Sequence, residues 1–223
     1  MGADNCCLVS GDASTCITDF SFFMISSQSG LTGLDGILGL SPASVGNGPS
    51  YLWTMYTQGT ISSAEATFWI NDTTTGSTVT FGSTPSGATS GNYIEQPVVS
   101  RYDSWWTMKL TDVQLNGSSI KKSGGNYAIS DTGTSLLYML ETDYSYFSTM
   151  IQAASPDFNC NSAFYDYCYS NTNTCDAYWA NMQNITIFLN YNEYVITPQG
   201  YTLSNGDLDG HKCAVAVSYS ADS

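Results

Sequence analysis

Short segments rich in β-branched and aromatic residues recur along this chain, and turn-forming residues separate them. Each segment has the length of an ordinary β-strand, and Gly, Pro, Asn or Asp interrupts the sequence before the next one begins. The segments with this pattern are residues 17–26, 67–70, 78–81, 105–115, 127–130, 185–189 and 194–197. The sequence therefore predicts a mainly β fold.

Two further segments, residues 50–58 and 142–152, predict short peripheral helices. Thr142 is the predicted N-cap of the second helix, because its hydroxyl could accept a backbone N–H bond. Asp143 in the first turn would favour the positive end of the helix dipole. Apolar side chains share one face of this helix at three- and four-residue spacing: Tyr144, Phe147 and Ile151.

The charge balance argues against nucleic acid as a partner. Five basic residues face nineteen acidic ones, which gives a formal net charge of −14. A phosphate backbone needs a Lys/Arg patch, and five cations cannot form one of useful size. An acidic surface of this kind suits an acidic compartment or the cell exterior, although an acidic solvated surface alone explains it equally well. No apolar run reaches the length of a transmembrane helix, so we expect no membrane span.

The seven cysteines favour disulfides over metal ligands. The sequence has no C-x-x-C pair and only one histidine, His211, so it lacks the spacing and the ligands of a zinc site, and we expect no metal. Three cysteines lie in the first sixteen residues and four lie between residues 160 and 213, so bridges are expected within each group, with one thiol left over. His211 lies in a polar segment and is predicted to be an exposed loop residue.

Three Asn-x-Ser/Thr triplets match the N-glycosylation pattern, at Asn71, Asn116 and Asn184. They matter only if the chain passes through a secretory pathway. Asn116 is the weakest candidate, because Asn-Gly is also a hairpin turn. Asn71 and Asn184 are the predicted glycosylation sites.

The segment A-I-S-D-T-G-T-S-L-L, residues 128–137, places Asp131 at the tip of a polar turn between two apolar runs. An Asx turn, in which the carboxylate accepts a backbone N–H two residues on, is the alternative interpretation of an isolated D-T-G. Two other segments give this motif its context. L-D-G-I-L-G-L-S-P occupies residues 34–42, and S-W-W-T-M at residues 104–108 leads to an Asn-Gly hairpin.

The order and spacing of these segments resemble the pepsin-like aspartic proteases, from about Phe20 to the end of the chain. The resemblance implies a pepsin-like acid protease fold with a few short peripheral helices, and no cofactor. It also implies that Cys175 pairs with Cys213 beside a late hairpin. Cys160 and Cys168 would then form an extra bridge in a variable loop.

The resemblance assigns roles residue by residue. Asp131 would be one of two catalytic aspartates that hold the attacking water between them. Gly133 would supply backbone contacts to substrate. Thr134 would also bind substrate, and its hydroxyl would hydrogen-bond the outer oxygen of Asp131. As supporting residues, Thr132 would reach across to the turn of the other lobe, and Ser135 would act from its own turn. In the other lobe, a bracing segment would support the second catalytic loop: Ile37, Leu38 and Gly39.

The chain departs from the family pattern because it holds one D-T-G and no second one. The opposing aspartate and the flap tyrosine would precede residue 1, and the brace for Asp131 would follow Ser223. We therefore expect residues 1–45 to end an amino-terminal lobe and residues 46–100 to form an inter-lobe sheet and connection. Residues 101–223 would form a carboxy-terminal lobe that lacks its final strands.

The leading functional hypothesis is an aspartic endopeptidase that cleaves peptides or proteins at acid pH, secreted or lysosomal/vacuolar, with the missing amino-terminal lobe segment as its partner. This chain alone would be inactive. A catalytically silent pepsin-like binding or structural module of an extracellular assembly is the alternative. A homodimer that pairs two copies of Asp131 across a twofold axis is a third possibility.

Overall fold

The computed structural model describes residues 2–27, 33, 35–42, 48–71, 75–86, 93–100, 104–161, 164–204 and 206–220. Most regular structure in these residues is β, so the fold is mainly β as the sequence predicts. None of the helices in these ranges is long and apolar enough to cross a membrane. The helices are α1 (Tyr51–Thr57) and α2 (Glu141–Ala154). The strands are β1 (Gly2–Cys7), β2 (Cys16–Phe22), β3 (Ala66–Trp69), β4 (Thr78–Phe81), β5 (Thr107–Leu115), β6 (Ser118–Ser119), β7 (Tyr127–Ile129), β8 (Leu137–Leu140), β9 (Tyr169–Ser170), β10 (Ile185–Leu189), β11 (Asn192–Ile196), β12 (Thr202–Ser204), β13 (Cys213–Val215) and β14 (Val217–Ser220).

The chain divides into two compact units. Unit 1 comprises Met1–Glu95 with Ser100–Trp106, and unit 2 comprises Gln96–Val99 with Thr107–Ser223. The boundary expected after residue 45 lies inside unit 1, whereas the boundary expected after residue 100 lies where the chain passes between the units. The three-part division remains a prediction.

The described residues of unit 1 form two antiparallel strand pairs, the short helix α1 and a 3-10 turn at Ala13–Thr15. Strand β1 pairs with β2, and β3 pairs with β4. Helix α1 begins where the Ser50 hydroxyl accepts the Trp53 N–H at 3.4 Å, which satisfies one of the free N–H groups of the first turn. Its buried face packs Tyr51 and Met55 against Ile17 of β2 to form the core of this unit.

Unit 2 is organised around β5, whose nine residues pair with three other strands. Strand β10 runs antiparallel to β5 and continues to β11, while β6 and β7 pair with β5 as well. A two-residue turn at Asn190 and Tyr191 joins β10 to β11, with φ values of 51° and 69°. Such left-handed pairs match the twist of a hairpin, and Asn116 with Gly117 forms the same kind of turn between β5 and β6.

Two smaller sheets and α2 complete unit 2. Strand β8 pairs in parallel with β14, and β12, β13 and β9 form a three-stranded antiparallel sheet. Helix α2 follows β8 directly and buries Tyr144, Phe147 and Ile151 in the core. The core also contains Ile185 of β10 and Leu115 of β5. The helical face predicted from the sequence is therefore the buried face.

Two local predictions are wrong. Helix α2 begins at Glu141 with Leu140 at the N-cap position and no side-chain cap bond, so Thr142 lies inside the helix and does not cap it. His211 is buried rather than exposed, because its ring stacks on Tyr169 with centroids 3.8 Å apart. A polar sequence around His211 does not reveal ring packing against Tyr169, which lies 42 positions earlier.

Six of the seven cysteines form disulfides. Cys7 pairs with Cys16, Cys160 with Cys168, and Cys175 with Cys213, and Cys6 is the free thiol. The last two pairs are those that the family resemblance implies, and all three lie within the groups expected from the sequence. The Cys7–Cys16 bridge joins directly opposed residues of β1 and β2.

The Cys175–Cys213 bridge should stabilise the fold more than the Cys160–Cys168 bridge. The two bridges span 38 and 8 residues. Chain entropy then predicts that replacing both cysteines by alanine lowers the free energy of unfolding by about 4 kcal/mol for the first and about 2.5 kcal/mol for the second. Denaturant unfolding of the two double variants measures this difference, and a larger loss for the short loop would contradict it.

Candidate active site

Asp131 lies in an exposed turn that connects two different sheets. Strand β7 enters the turn and pairs with β5, and β8 leaves it and pairs with β14. The five turn residues 131–135 are all exposed. The turn thus presents the Asp131 carboxylate to solvent, on a strand-supported loop of unit 2.

Both carboxylate oxygens of Asp131 accept hydrogen bonds from its own turn. The Gly133 N–H donates to Oδ1 at 2.9 Å, and the Thr134 hydroxyl donates to Oδ2 at 2.5 Å. The first bond is the Asx-turn contact that the sequence offers as an alternative, and the second is the Thr134 contact that the family resemblance implies. The two features coexist, so the Asx turn is a part of this arrangement.

These bonds change the acidity of Asp131. The Thr134 hydroxyl, followed by the Gly133 N–H, lowers the pKa of the Asp131 carboxyl below its ordinary value, because both donors stabilise the ionised form. Burial acts in the opposite direction and is the smallest contribution. The carboxylate is therefore poised to stay charged in moderately acid solution while it remains open to solvent.

Thr132 and Ser135 lie in the same exposed turn as Asp131, beside Gly133 and Thr134. The structure therefore places the five predicted active-site residues 131–135 in one exposed turn. Gly133 approaches the carboxylate closely, since a Cβ built on it would lie 3.3 Å from Asp131 Oδ1. A larger residue at this position would crowd the acceptor of the Gly133 N–H bond.

The predicted brace belongs to unit 1. Ile37, Leu38 and Gly39 are exposed, and Ile37 and Leu38 present 69% and 45% of their surface to solvent. The neighbouring Leu40 carbonyl accepts the Trp106 indole N–H at 2.8 Å, so the end of this segment is anchored within its unit. Exposed adjacent aliphatic side chains are typical of a surface that packs against another segment.

Three exposed apolar side chains flank the Asp131 turn and were predicted only as strand residues or not at all. Tyr127 and Ile129 lie on β7, and Tyr138 lies on β8, with exposed fractions near one half. The alternation of Tyr127, Ile129 and Asp131 along one strand could have indicated that they share a face. No comparable signal marks Tyr138, because β8 is too short to show a period.

The predicted glycosylation sites differ in their surroundings. Asn184 is exposed and directly precedes β10, whereas Asn71 is half-buried, with residues 72 and 73 of its triplet outside the described residues. Asn116 lies in the β5–β6 turn with φ of 53°. Its backbone N–H donates to the Asn184 carbonyl at 3.5 Å, so the two triplets are neighbours.

The chain belongs to the eukaryotic aspartyl protease family, which matches residues 13–223. It is 28% identical over 184 residues to cathepsin D of Dictyostelium discoideum, covering 80% of this chain and 45% of that protein. It is 37% identical over 106 residues to pepsin A of Canis lupus familiaris, covering 46% of this chain and 27% of that protein. The chain thus spans less than half the length of these relatives.

The fold is also that of a known aspartic proteinase. The structure of the aspartic proteinase from Irpex lacteus superposes with a TM-score of 0.76 at 21% identity, covering 95% of this chain and 65% of that one. The matched 95% of the chain includes residues of both units. It establishes the pepsin-like fold that the sequence motifs predict.

Thr134→Val should raise the pKa of Asp131 towards its ordinary value, because the strongest donor to the carboxylate is removed. Thr134→Ser keeps the hydroxyl and should leave the pKa close to that of the wild type. Carbon-13 NMR titration of the Asp131 carboxyl measures both. An unchanged midpoint in Thr134→Val would show that the Thr134 bond does not hold the carboxylate.

The hydrogen bond from Thr134 to Asp131 also predicts how the stability of the fold depends on pH. A carboxyl whose native pKa is lowered stabilises the fold above its unfolded pKa and loses that contribution as pH falls through the native pKa. Thr134→Val should therefore be less stable than Thr134→Ser near neutral pH, and the difference should shrink on acidification. A difference that grows in acid would contradict this assignment.

Proposed function

We propose that the chain is part of an aspartic endopeptidase that hydrolyses peptide bonds at acid pH, with Asp131 as one of its two catalytic carboxyls. The single observation that carries the proposal is the exposed Asp131 carboxylate, held by Gly133 and Thr134 in a D-T-G-T-S turn of a family member. An exposed, pre-oriented acceptor is what a water-activating carboxylate requires.

The chemistry explains why a second carboxyl is needed. Two like charges about 4 Å apart repel by about 4 kcal/mol at an effective dielectric near 20, which corresponds to about three pKa units. One carboxyl of the pair therefore keeps a proton at acid pH. The ionised member removes a proton from the water that attacks the scissile carbonyl carbon, and the protonated member donates to the carbonyl oxygen. The two carboxyls titrate as a pair, so neither role is assigned to Asp131 alone.

The opposing aspartate is proposed to lie in an amino-terminal lobe segment that packs against unit 1. Two features support this partner. The relatives are about twice as long as this chain, and unit 1 exposes a run of large apolar side chains, Phe23, Met24 and Ile25, directly after β2. Ile37 and Leu38 of the same unit are exposed as well, and large exposed apolar side chains of this kind mark surfaces that pack against another segment. Without this segment, we expect the chain alone to be inactive.

Peptide or protein substrates are proposed to lie along the exposed side of the Asp131 turn. Gly133 and Thr134 present backbone and side-chain polar groups there, with Thr132 and Ser135 supporting the turn. Tyr127, Ile129 and Tyr138 provide apolar surface beside it, which favours cleavage next to apolar residues. Ile37, Leu38 and Gly39 are proposed to brace the second catalytic loop.

Asp131→Asn should abolish peptide hydrolysis by the longer protein that contains this chain. We expect a fall in kcat of at least about 10³-fold at about pH 3 to 5, because the amide cannot take up the water proton. The matched control is Asp176→Asn, since Asp176 is also exposed and accepts a threonine hydroxyl, that of Thr174, within unit 2. Hydrolysis that survives Asp131→Asn would contradict the assignment.

A silent binding or structural module is the second candidate function. Abundant tyrosine and low charge suit such a module, since the sequence has 16 Tyr and only 11% charged residues. The discriminating observation is the residue opposite Asp131 in the longer protein. A substitution of that aspartate, with no hydrolysis at any pH, would favour the silent module.

A secreted or lysosomal/vacuolar location and glycosylation at Asn184 and Asn71 complete the proposal. Disulfides and the acidic surface support an oxidising, extracytoplasmic environment. In a secretory host, Asn184→Gln and Asn71→Gln should each remove one glycan, measured as a loss of mass that glycosidase treatment reproduces. Asn116→Gln, in the tight β5–β6 turn, should change nothing. A glycan on Asn116 and none on Asn184 would contradict this order.

A further inference from the structure

Asp143 on α2 is a buried carboxylate with three short hydrogen bonds. Only 7% of its surface is exposed. The backbone N–H groups of Lys122 and Ser123 both donate to Oδ1 at 2.6 Å, and the Ser123 hydroxyl donates to Oδ2 at 2.6 Å. A buried carboxylate is costly unless donors satisfy it, and charge-assisted bonds of this kind are the strong ones.

The bonds connect the two sides of the Asp131 turn. Lys122 and Ser123 lie shortly before β7, which leads into the turn, and Asp143 lies three residues after the end of β8, which leads out of it. The same loop touches the β8–α2 junction a second time. A Cβ built on Gly125 would lie 2.7 Å from Leu140 Cδ1, so the backbone there passes directly against the last residue of β8.

Sheet pairing does not provide this connection. Strand β7 pairs with β5, and β8 pairs in parallel with β14, so the strands on either side of Asp131 belong to different sheets. In an ordinary hairpin, ladder bonds between the two strands fix the turn. Here the Asp143 carboxylate supplies direct bonds between the entering and the leaving segments.

The burial of Asp143 is not explained by its interaction with the helix dipole. A first-turn acidic residue serves the helix dipole equally well from an exposed position, and the exposed Glu141 already occupies such a position on α2. The three donors to Asp143 all come from the 122–123 segment. The carboxylate therefore acts on the loop rather than on its own helix.

We propose that Asp143 is a positioning residue for Asp131: its carboxylate fastens the segment that enters the Asp131 turn to the helix that follows the turn. Asp143 touches no reacting atom, and its catalytic consequence rests on the proposed function of Asp131. Loss of the carboxylate would let Ser130 and Asp131 shift relative to Thr134, which stands on the leaving side of the turn.

The test is the titration of Asp131 in Asp143→Ala, followed by carbon-13 NMR of its carboxyl in the whole chain. Loosening of the turn should weaken the Thr134 and Gly133 bonds, so the pKa of Asp131 should move upward. Asp143→Asn keeps an oxygen acceptor for the two N–H groups and should restore most of the wild-type midpoint. In the active longer protein, Asp143→Ala should lower kcat about tenfold or more with KM retained, since misplacement of a reacting group acts on the chemical step.

The matched control is Asp112→Ala. Asp112 also accepts three hydrogen bonds, from the Val113 N–H, the Gln114 amide and the Ser119 hydroxyl. These bonds all lie within the β5–β6 hairpin of the same unit. This variant should lose stability without moving the Asp131 midpoint. A merely structural role for Asp143 predicts that the two alanine variants behave alike.

A folded Asp143→Ala variant that titrates at Asp131 like the wild type would overturn the proposal. If Asp143→Ala does not fold, Ser123→Ala takes its place, because it keeps both N–H bonds to Oδ1. It removes the hydroxyl bond to Oδ2 and the longer Gly125 N–H bond to the same hydroxyl, at 3.4 Å. It should move the Asp131 midpoint upward by a smaller amount, and an unmoved midpoint would overturn the proposal as well. These titrations do not depend on hydrolysis. The proposed function is tested instead by the activity of Asp131→Asn and by the residue opposite Asp131 in the longer protein, so the two failures are distinguishable.

Discussion

The pairing of β5 with three other strands is the constraint on which unit 2 depends. The nine residues of β5 hold β10 along one edge, and β6 and β7 along the other. Alternate side chains of β5, including Val113 and Leu115, enter the core beneath α2. Strand β7 leads into the Asp131 turn and pairs with β5. The position of β5 therefore determines where the turn begins.

Asp131 and Asp143 lie twelve positions apart, and their carboxylates have opposite environments. Asp131 is exposed, and its two bonds leave its carboxylate open to solvent. Asp143 is buried, and its three hydrogen bonds come from backbone and hydroxyl donors of one loop. The first arrangement leaves the carboxylate accessible and the second gives rigidity, which is what the proposed roles of the two residues require.

Strands with a regular local signal could be predicted from the sequence. The bounds predicted for β4 and β10 coincide with those observed. Polar and apolar residues alternate in β4, β10 is rich in β-branched residues, and a turn residue follows each strand. Strand β1, with the sequence G-A-D-N-C-C, has no such signal and is held instead by its pairing with β2 and by the Cys7–Cys16 bridge. Short strands β8 and β14 exist through pairing with each other, which no local window can reveal.

The residues of the candidate site also differ in whether a local sequence pattern predicts them. The D-T-G-T-S motif places Asp131, Gly133 and Thr134 from sequence, since all their bonds lie within four residues. The role of Asp143 could not be predicted, because its donors lie about twenty residues earlier and the charge looks like an ordinary helix-dipole partner.

The parallel register of β8 and β14 has a consequence for biosynthesis. Leu137 pairs with Val217, eighty positions later, and Leu140 with Ser220. A nascent chain therefore exposes the Asp131 turn long before its leaving strand acquires a neighbour, and contacts of such high order form late. The segment that leaves the Asp131 turn thus gains its sheet partner only after residues 217–220 have left the ribosome.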